Sequence, residues 1–192
     1  MNRTIQFLYI IISSTFCYAS NVSKMDSVHV WHEVYENDTI IFEEIPPFVF
    51  CGLKQFQNET VVNYGSLDPE TLNAICNEYI RMYTSDIIKD VLSGYGKKTC
   101  SEILNQHKAS NGKRAVMFIR VRLDMKGTIV AVQFCYHKSL SCFFANKDII
   151  RNSDIVVSRG HTPILMKSGI VLSPWITFPI GSEKVQEFLL EP

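Results

Sequence analysis

The sequence predicts an α+β fold: one main helix packed on an antiparallel sheet, with a hairpin ahead of the helix and an extension behind the sheet. Three observations predict it. Two strand-like runs, SVHVWHEVY and DTIIFEE, open the chain's first structured region. A capped helical segment, GSLDPETLNAICNEYIRMY, follows. Two Val-, Ile- and Phe-rich runs, RAVMFIRVRLD and GTIVAVQFCYH, come next with only a short connection between them.

The first strand sets Val28 and Val30 against His29 and Trp31, a period of two. Asn37-Asp38 reads as the turn of a hairpin, and Pro46-Pro47 punctuates its end. The helix has Asp68 suited to the N-cap and Pro69 to the first helical position, where a missing N–H costs nothing. Leu72, Cys76, Tyr79, Ile80 and Tyr83 then fall on one face. A second helical run, SDIIKDVLSG, has Ser85 as cap and Gly94 as stop. After the polar loop KASNGKR, the two later strands meet across DMKG, with Gly127 at the end of the connection. Beyond Cys142, PILMKSGIVLSPWITFP reads as short strands or coil, and SEKVQEFLL as a small final helix.

Composition bounds the function. The chain has 192 residues, 46% of them hydrophobic, enough for one well-buried domain. Lys plus Arg equals Asp plus Glu at 19 each, so no whole-molecule charge draws it to nucleic acid or an anionic membrane. Residues 1–19 read as a signal peptide: Arg3 heads the apolar run Phe7 to Ile12, and Cys17-Tyr18-Ala19 carries small residues where signal peptidase needs them. That run is far shorter than the roughly 20 residues that span a bilayer, so no membrane anchor is expected.

Secretion makes the cysteines candidates for disulfides. Cys51, Cys76, Cys100, Cys135 and Cys142 remain after the signal, an odd number, so at least one stays free or pairs outside the chain. Sequons at Asn21, Asn37 and Asn58 could carry glycans. His29 and His32, three apart in a strand, point to opposite faces, so joint metal ligation is poor; no zinc spacing, phosphate loop or nucleophile elbow is present, and no cofactor is implied.

FVFCG at Phe48–Gly52, the helix containing NAIC, and the hairpin GTIVAV followed by a late Cys resemble the small secreted guanyl-specific ribonucleases of fungi. Gly127 to Cys142, fifteen residues, matches that family's spacing. The aromatic-x-Cys motif and the strand pair FIRVRLDMKGTIVAVQF are similar to the RNase-like secreted effectors of powdery mildew fungi. The resemblance covers about residues 46–143. It implies a microbial-ribonuclease-like domain over 20–143, with core 46–143, and a C-terminal extension over 144–192 packed on or beside it. It also implies a Cys51–Cys142 disulfide. Cys76 is expected to pair with Cys100; Cys135 is the competing partner and otherwise the buried free thiol.

A ribonuclease of this type needs a general base, a general acid and cations for the phosphate. The resemblance puts the second catalytic His at Ala131, whose methyl cannot move a proton. Tyr95, Glu102 and His107 occupy the tyrosine-led segment but not in the family's spacing. His137 shares a face with Ala131 by parity, yet lies about 20 Å further along the strand. Arg120 and Arg122 share one strand face, with Lys126 and Lys138 near in sequence, as candidates for binding RNA or a partner. Tyr136 is an aromatic near that set.

The expectation is therefore a secreted, non-catalytic pseudo-ribonuclease, a monomer, acting in a host plant cell by binding a protein or RNA. An active guanyl-specific endoribonuclease and an extracellular structural protein are the alternatives.

Overall fold

A computed structural model describes residues 28–53, 68–110, 115–124, 128–159 and 175–192. The signal segment, the sequons at Asn21 and Asn58, Lys126 and Gly127 lie outside the described residues.

Six antiparallel strands form one sheet: β1 (His29–Tyr35), β2 (Asp38–Ile45), β3 (Phe48–Leu53), β4 (Met117–Leu123), β5 (Ile129–His137) and β6 (Ile176–Ile180), in the order β1-β2-β3-β5-β4-β6. The fold is α+β, as the sequence predicts. The hairpin β1–β2 turns on Glu36-Asn37, one residue earlier than expected, with Glu36 in the left-handed region at φ 56°. Pro46-Pro47 makes the next tight turn. Alternation explains FVFCG: Val49, Cys51 and Leu53 face the core, while Phe48 and Phe50 take the opposite face.

The main helix, α1 (Pro69–Ala109), runs 41 residues. Asp68 caps it, one carboxylate oxygen accepting the Thr71 N–H at 2.9 Å and the other the Thr71 hydroxyl at 2.7 Å. Cys76, Tyr79, Ile87, Val91 and Tyr95 recur at helical spacing and are buried. The helix breaks at Gly96, whose φ of 77° and ψ of 158° suit glycine alone, and resumes to bury Cys100, Ile103, Leu104 and His107. The stop expected at Gly94 is thus displaced by two residues. Gly94 does different work. A Cβ there would lie 1.8 Å from the Asn152 Oδ1, so the glycine lets a second helix approach closely.

That second helix, α2 (Asn146–Ser158), has no counterpart among the elements expected from the sequence. A third, α3 (Ser182–Leu190), sits where SEKVQEFLL places it. Arg159, just past α2, grips Asp90 with Nε and Nη2 and reaches Asp86 at 3.1 Å, fastening α2 to α1. The helices share one core with Ile40, Phe42, Val49, Cys51, Ile119, Val121, Phe134, Tyr136 and Phe178, all from a single face of the sheet. Beyond residue 143, Phe144, Ile149 and Val156 and then Ile176, Phe178, Ile180 and Val185 join this core, and β6 pairs with β4.

Among the described residues, no helix is long and apolar enough to cross a membrane.

Candidate functional site

The two sheet faces differ. Strand parity turns Phe50, Phe118, Arg120, Arg122, Gln133, Cys135 and Thr177 away from the helical core. Arg120 faces Gln133 across the ladder and Arg122 faces Ala131, so the shared face expected for the two arginines is present.

Their guanidiniums are not displayed as a bare cationic strip. Both lie over the Trp175 indole, Arg120 at 5.0 Å and Arg122 at 4.6 Å from its centre. Arg120 also lies 5.5 Å from the Phe50 ring and donates through Nη1 to the Gln133 amide oxygen at 2.8 Å. Burial lowers the Arg120 guanidinium to about 10, with the neighbouring Arg122 acting the same way and Glu43 and Cys135 opposing. It stays charged at neutral pH, but it is partly desolvated. Cys135 sits beneath, buried and free; burial pushes its thiol up to about 12. The site is thus two cations, two aromatic rings, one amide and one acidic neighbour on the half-buried side of the sheet.

The other expected residues are elsewhere. Lys138 opens a short 3-10 helix (Lys138–Phe143) and pairs with Glu44 at 2.6 Å, at a β2 position with core-side parity, so it does not extend the arginine strip. His137 caps that 3-10 helix, its Nδ1 accepting the Ser139 N–H at 3.2 Å. Tyr95 and His107 are buried on α1 and Glu102 is exposed on it. Tyr95 packs edge-on to Phe144 at 5.4 Å. These groups belong to the helical layer, across the sheet from Arg120, and assemble no acid–base pair with it. Ala131 is buried opposite Arg122. Asn37 is exposed at the hairpin tip.

The expected disulfides are not formed: Cys51, Cys76, Cys100 and Cys142 are free. Cys51 is fully buried and hydrogen-bonded to the Tyr136 side chain, whereas Cys142 is exposed on the 3-10 helix. Cys76 and Cys100 occupy opposite sides of the Gly96 break, and the Cys100 thiol donates to the Leu92 carbonyl at 3.4 Å. Among the described residues no cluster of His, Cys, Asp and Glu suits a metal.

Sequence reasoning missed Trp175. It precedes β6, more than fifty positions from the arginines it covers, and nothing local marks that contact.

No protein-family model matches the chain, and no curated protein does. Among solved structures it is similar to a DUF5043 family protein from Bacteroides uniformis ATCC 8492, with a TM-score of 0.46 and 12% identity over 83% of this chain and 96% of that one. At that identity and score, the likeness assigns neither a family nor an activity.

Proposed function

We propose that the protein is a secreted, non-catalytic ribonuclease-like effector that acts by binding a host protein through the sheet face around Arg120, Arg122 and Trp175. The observation that carries the binding role is the stack of two guanidiniums on one half-buried indole. Arginine and aromatic side chains held rigidly together are the groups that dominate protein–protein contacts. Secretion rests on the N-terminal segment, and the host role on the resemblance carried by FVFCG, NAIC and GTIVAV. The alanine at the position of the second catalytic histidine favours binding over turnover.

RNA is the second reading, favoured by the two adjacent cations. A parallel experiment separates the two. Immobilised wild-type protein and a Trp175→Ala variant are exposed to plant extract, and labelled single-stranded RNA is titrated against both. A protein retained by wild type and lost with the variant supports the proposal. Salt-sensitive RNA binding without such a protein favours the second reading. Release of cyclic phosphate from a guanosine-containing oligonucleotide overturns both in favour of an active ribonuclease.

A further inference from the structure

Among the described residues, the two edges of the sheet are unlike. β6, at one edge, carries Pro179, which cannot donate to a further strand. β1, at the other, has no proline and no lysine, and its register with β2 runs without a bulge from His29 to Tyr35. Edge strands without such guards are open to pairing. β1 is also where apolar exposure concentrates. Of the six large hydrophobic residues exposed among those described, Val28, Val30, Val34 and Tyr35 belong to this stretch. Val30 is 51% exposed and Val34 75%.

The hairpin fixes which backbone groups face outward. Tyr35 and Asp38 close a two-residue turn, so this pair exchanges the first backbone bonds of the ladder. Odd-numbered residues of β1 therefore bond to β2. Val28, Val30, His32 and Val34 turn their N–H and C=O groups to the open edge.

We infer that β1 pairs antiparallel with β1 of a second copy of this chain, about a two-fold axis at Trp31. In that register Val28 faces Val34 and Val30 faces His32, so the outward-bonding residues meet in pairs and their side chains form one row. On the other face, His29 meets Glu33 twice, on either side of the two indoles. The stretch is self-complementary in shape and in its donors and acceptors, which is what a two-fold interface needs. Trp31 is already held for this, stacked on Phe42 at 5.0 Å and on His29 at 5.1 Å. Glu33 accepts from Trp31 Nε1 at 3.0 Å through one oxygen and from Asn146 at 2.8 Å through the other; each oxygen keeps a second acceptor site for His29 of the second copy. A two-fold at His32 instead would set His29 against Tyr35 and lose the donor for Glu33. The pairing replaces the monomer expected from the sequence and joins two sheets into one of twelve strands.

Sedimentation equilibrium on the purified chain tests this, with circular dichroism to check that each variant folds. Wild type is expected to show a monomer–dimer equilibrium. Val34→Lys places a charge on the row twice per dimer and is expected to raise the dissociation constant by more than about tenfold. His29→Glu, which sets carboxylates opposite each other, weakens the dimer, while His29→Lys preserves it. A chain that stays monomeric at millimolar concentration, including one whose edge accepts a strand from another protein, overturns the inference. So does a dimer indifferent to Val34→Lys, or one that responds equally to both His29 variants.

Discussion

The Tyr136 side chain shares a hydrogen bond with the Cys51 thiol inside the core, where the family resemblance implies a disulfide from Cys51 to Cys142. Tyr136 in turn stacks on Phe144, with ring centres 3.7 Å apart and planes 8° from parallel. Cys51 is sealed beneath these rings, while Cys142 lies outside on the 3-10 helix.

A labelling prediction comes from that arrangement. Burial raises the Cys51 thiol far above its ordinary range, and raises Cys76 to about 11 and Cys100 and Cys135 to about 12. Only the thiolate reacts readily, so these four are protected by both access and charge state. Among these five described cysteines, brief alkylation of the native protein is expected to modify Cys142 alone, read by peptide mass spectrometry. Labelling of Cys51 or Cys135 at a comparable rate would show that the core is open. A Cys51–Cys142 crosslink in the mapped peptides would show that the two residues approach.

The break in α1 gives a second prediction. A Cβ at Gly96 would have nothing within 4 Å, so a substitution there meets no clash. The φ of 77° at Gly96 is nevertheless closed to side chains. Gly96→Ala is expected to cost about 1–3 kcal/mol of stability from backbone strain alone. For a domain of this size that lowers Tm by roughly 2–4 °C per kcal/mol. Gly94→Ala should cost more than its helical position suggests, because Asn152 occupies the space. A Gly96→Ala variant as stable as wild type would mean that α1 runs on without a break.

The Asp68 cap supplies a pH-dependent test. The Thr71 backbone N–H, followed by the Thr71 hydroxyl, holds the Asp68 carboxyl below its usual range. A carboxylate with a depressed folded-state pKa stabilises the fold above its unfolded-state value and loses that contribution as pH falls through the folded value. Asp68→Ala is therefore expected to unfold at lower temperature than wild type at neutral pH. The gap should narrow as the solution is acidified through and below the ordinary carboxylate range. Thermal melts of both proteins across that range decide it; a gap independent of pH would assign the cap no charge-dependent role.

How far the sequence shows all this depends on how local each signal is. The β1–β2 hairpin, the Asp68–Pro69 helix start and the final helix are written in adjacent residues; both helices are where the pattern places them, and the hairpin turn lies one residue earlier. Helix α2 escapes because its inward face carries Asn152 and Ser153, which read as polar. Inside the fold Ser153 satisfies itself on the Ile149 carbonyl at 2.8 Å, and Asn152 donates to the Asp148 carbonyl at 2.9 Å. Gly94 and Gly96 look alike in sequence; only the neighbouring helix and the backbone angle separate close packing from a break. The arginine pair is legible by parity. Its cover is not, because Trp175 arrives from a distant part of the chain.

The last prediction concerns that cover. If the indole holds both guanidiniums against the sheet, removing it should have two opposite effects. Stability falls: two cation–π contacts of about 0.5–1 kcal/mol each are lost, together with the buried area of a half-covered ring, for a total of about 2–4 kcal/mol. Trp175→Phe should retain part of this, since a smaller ring still offers a face. Electrostatic attraction to polyanions rises, because Arg120 and Arg122 can then reach phosphates. For single-stranded RNA each phosphate newly neutralised steepens the dependence of log K on log salt by about 0.7. Trp175→Ala is thus expected to be less stable in urea, yet to bind RNA with a salt slope steeper than wild type by between about one and two phosphates' worth. An unchanged slope together with the stability loss would mean that Gln133, Phe50 and Glu43 suffice to keep the arginines engaged; an unchanged stability would mean that the stack contributes nothing to the fold.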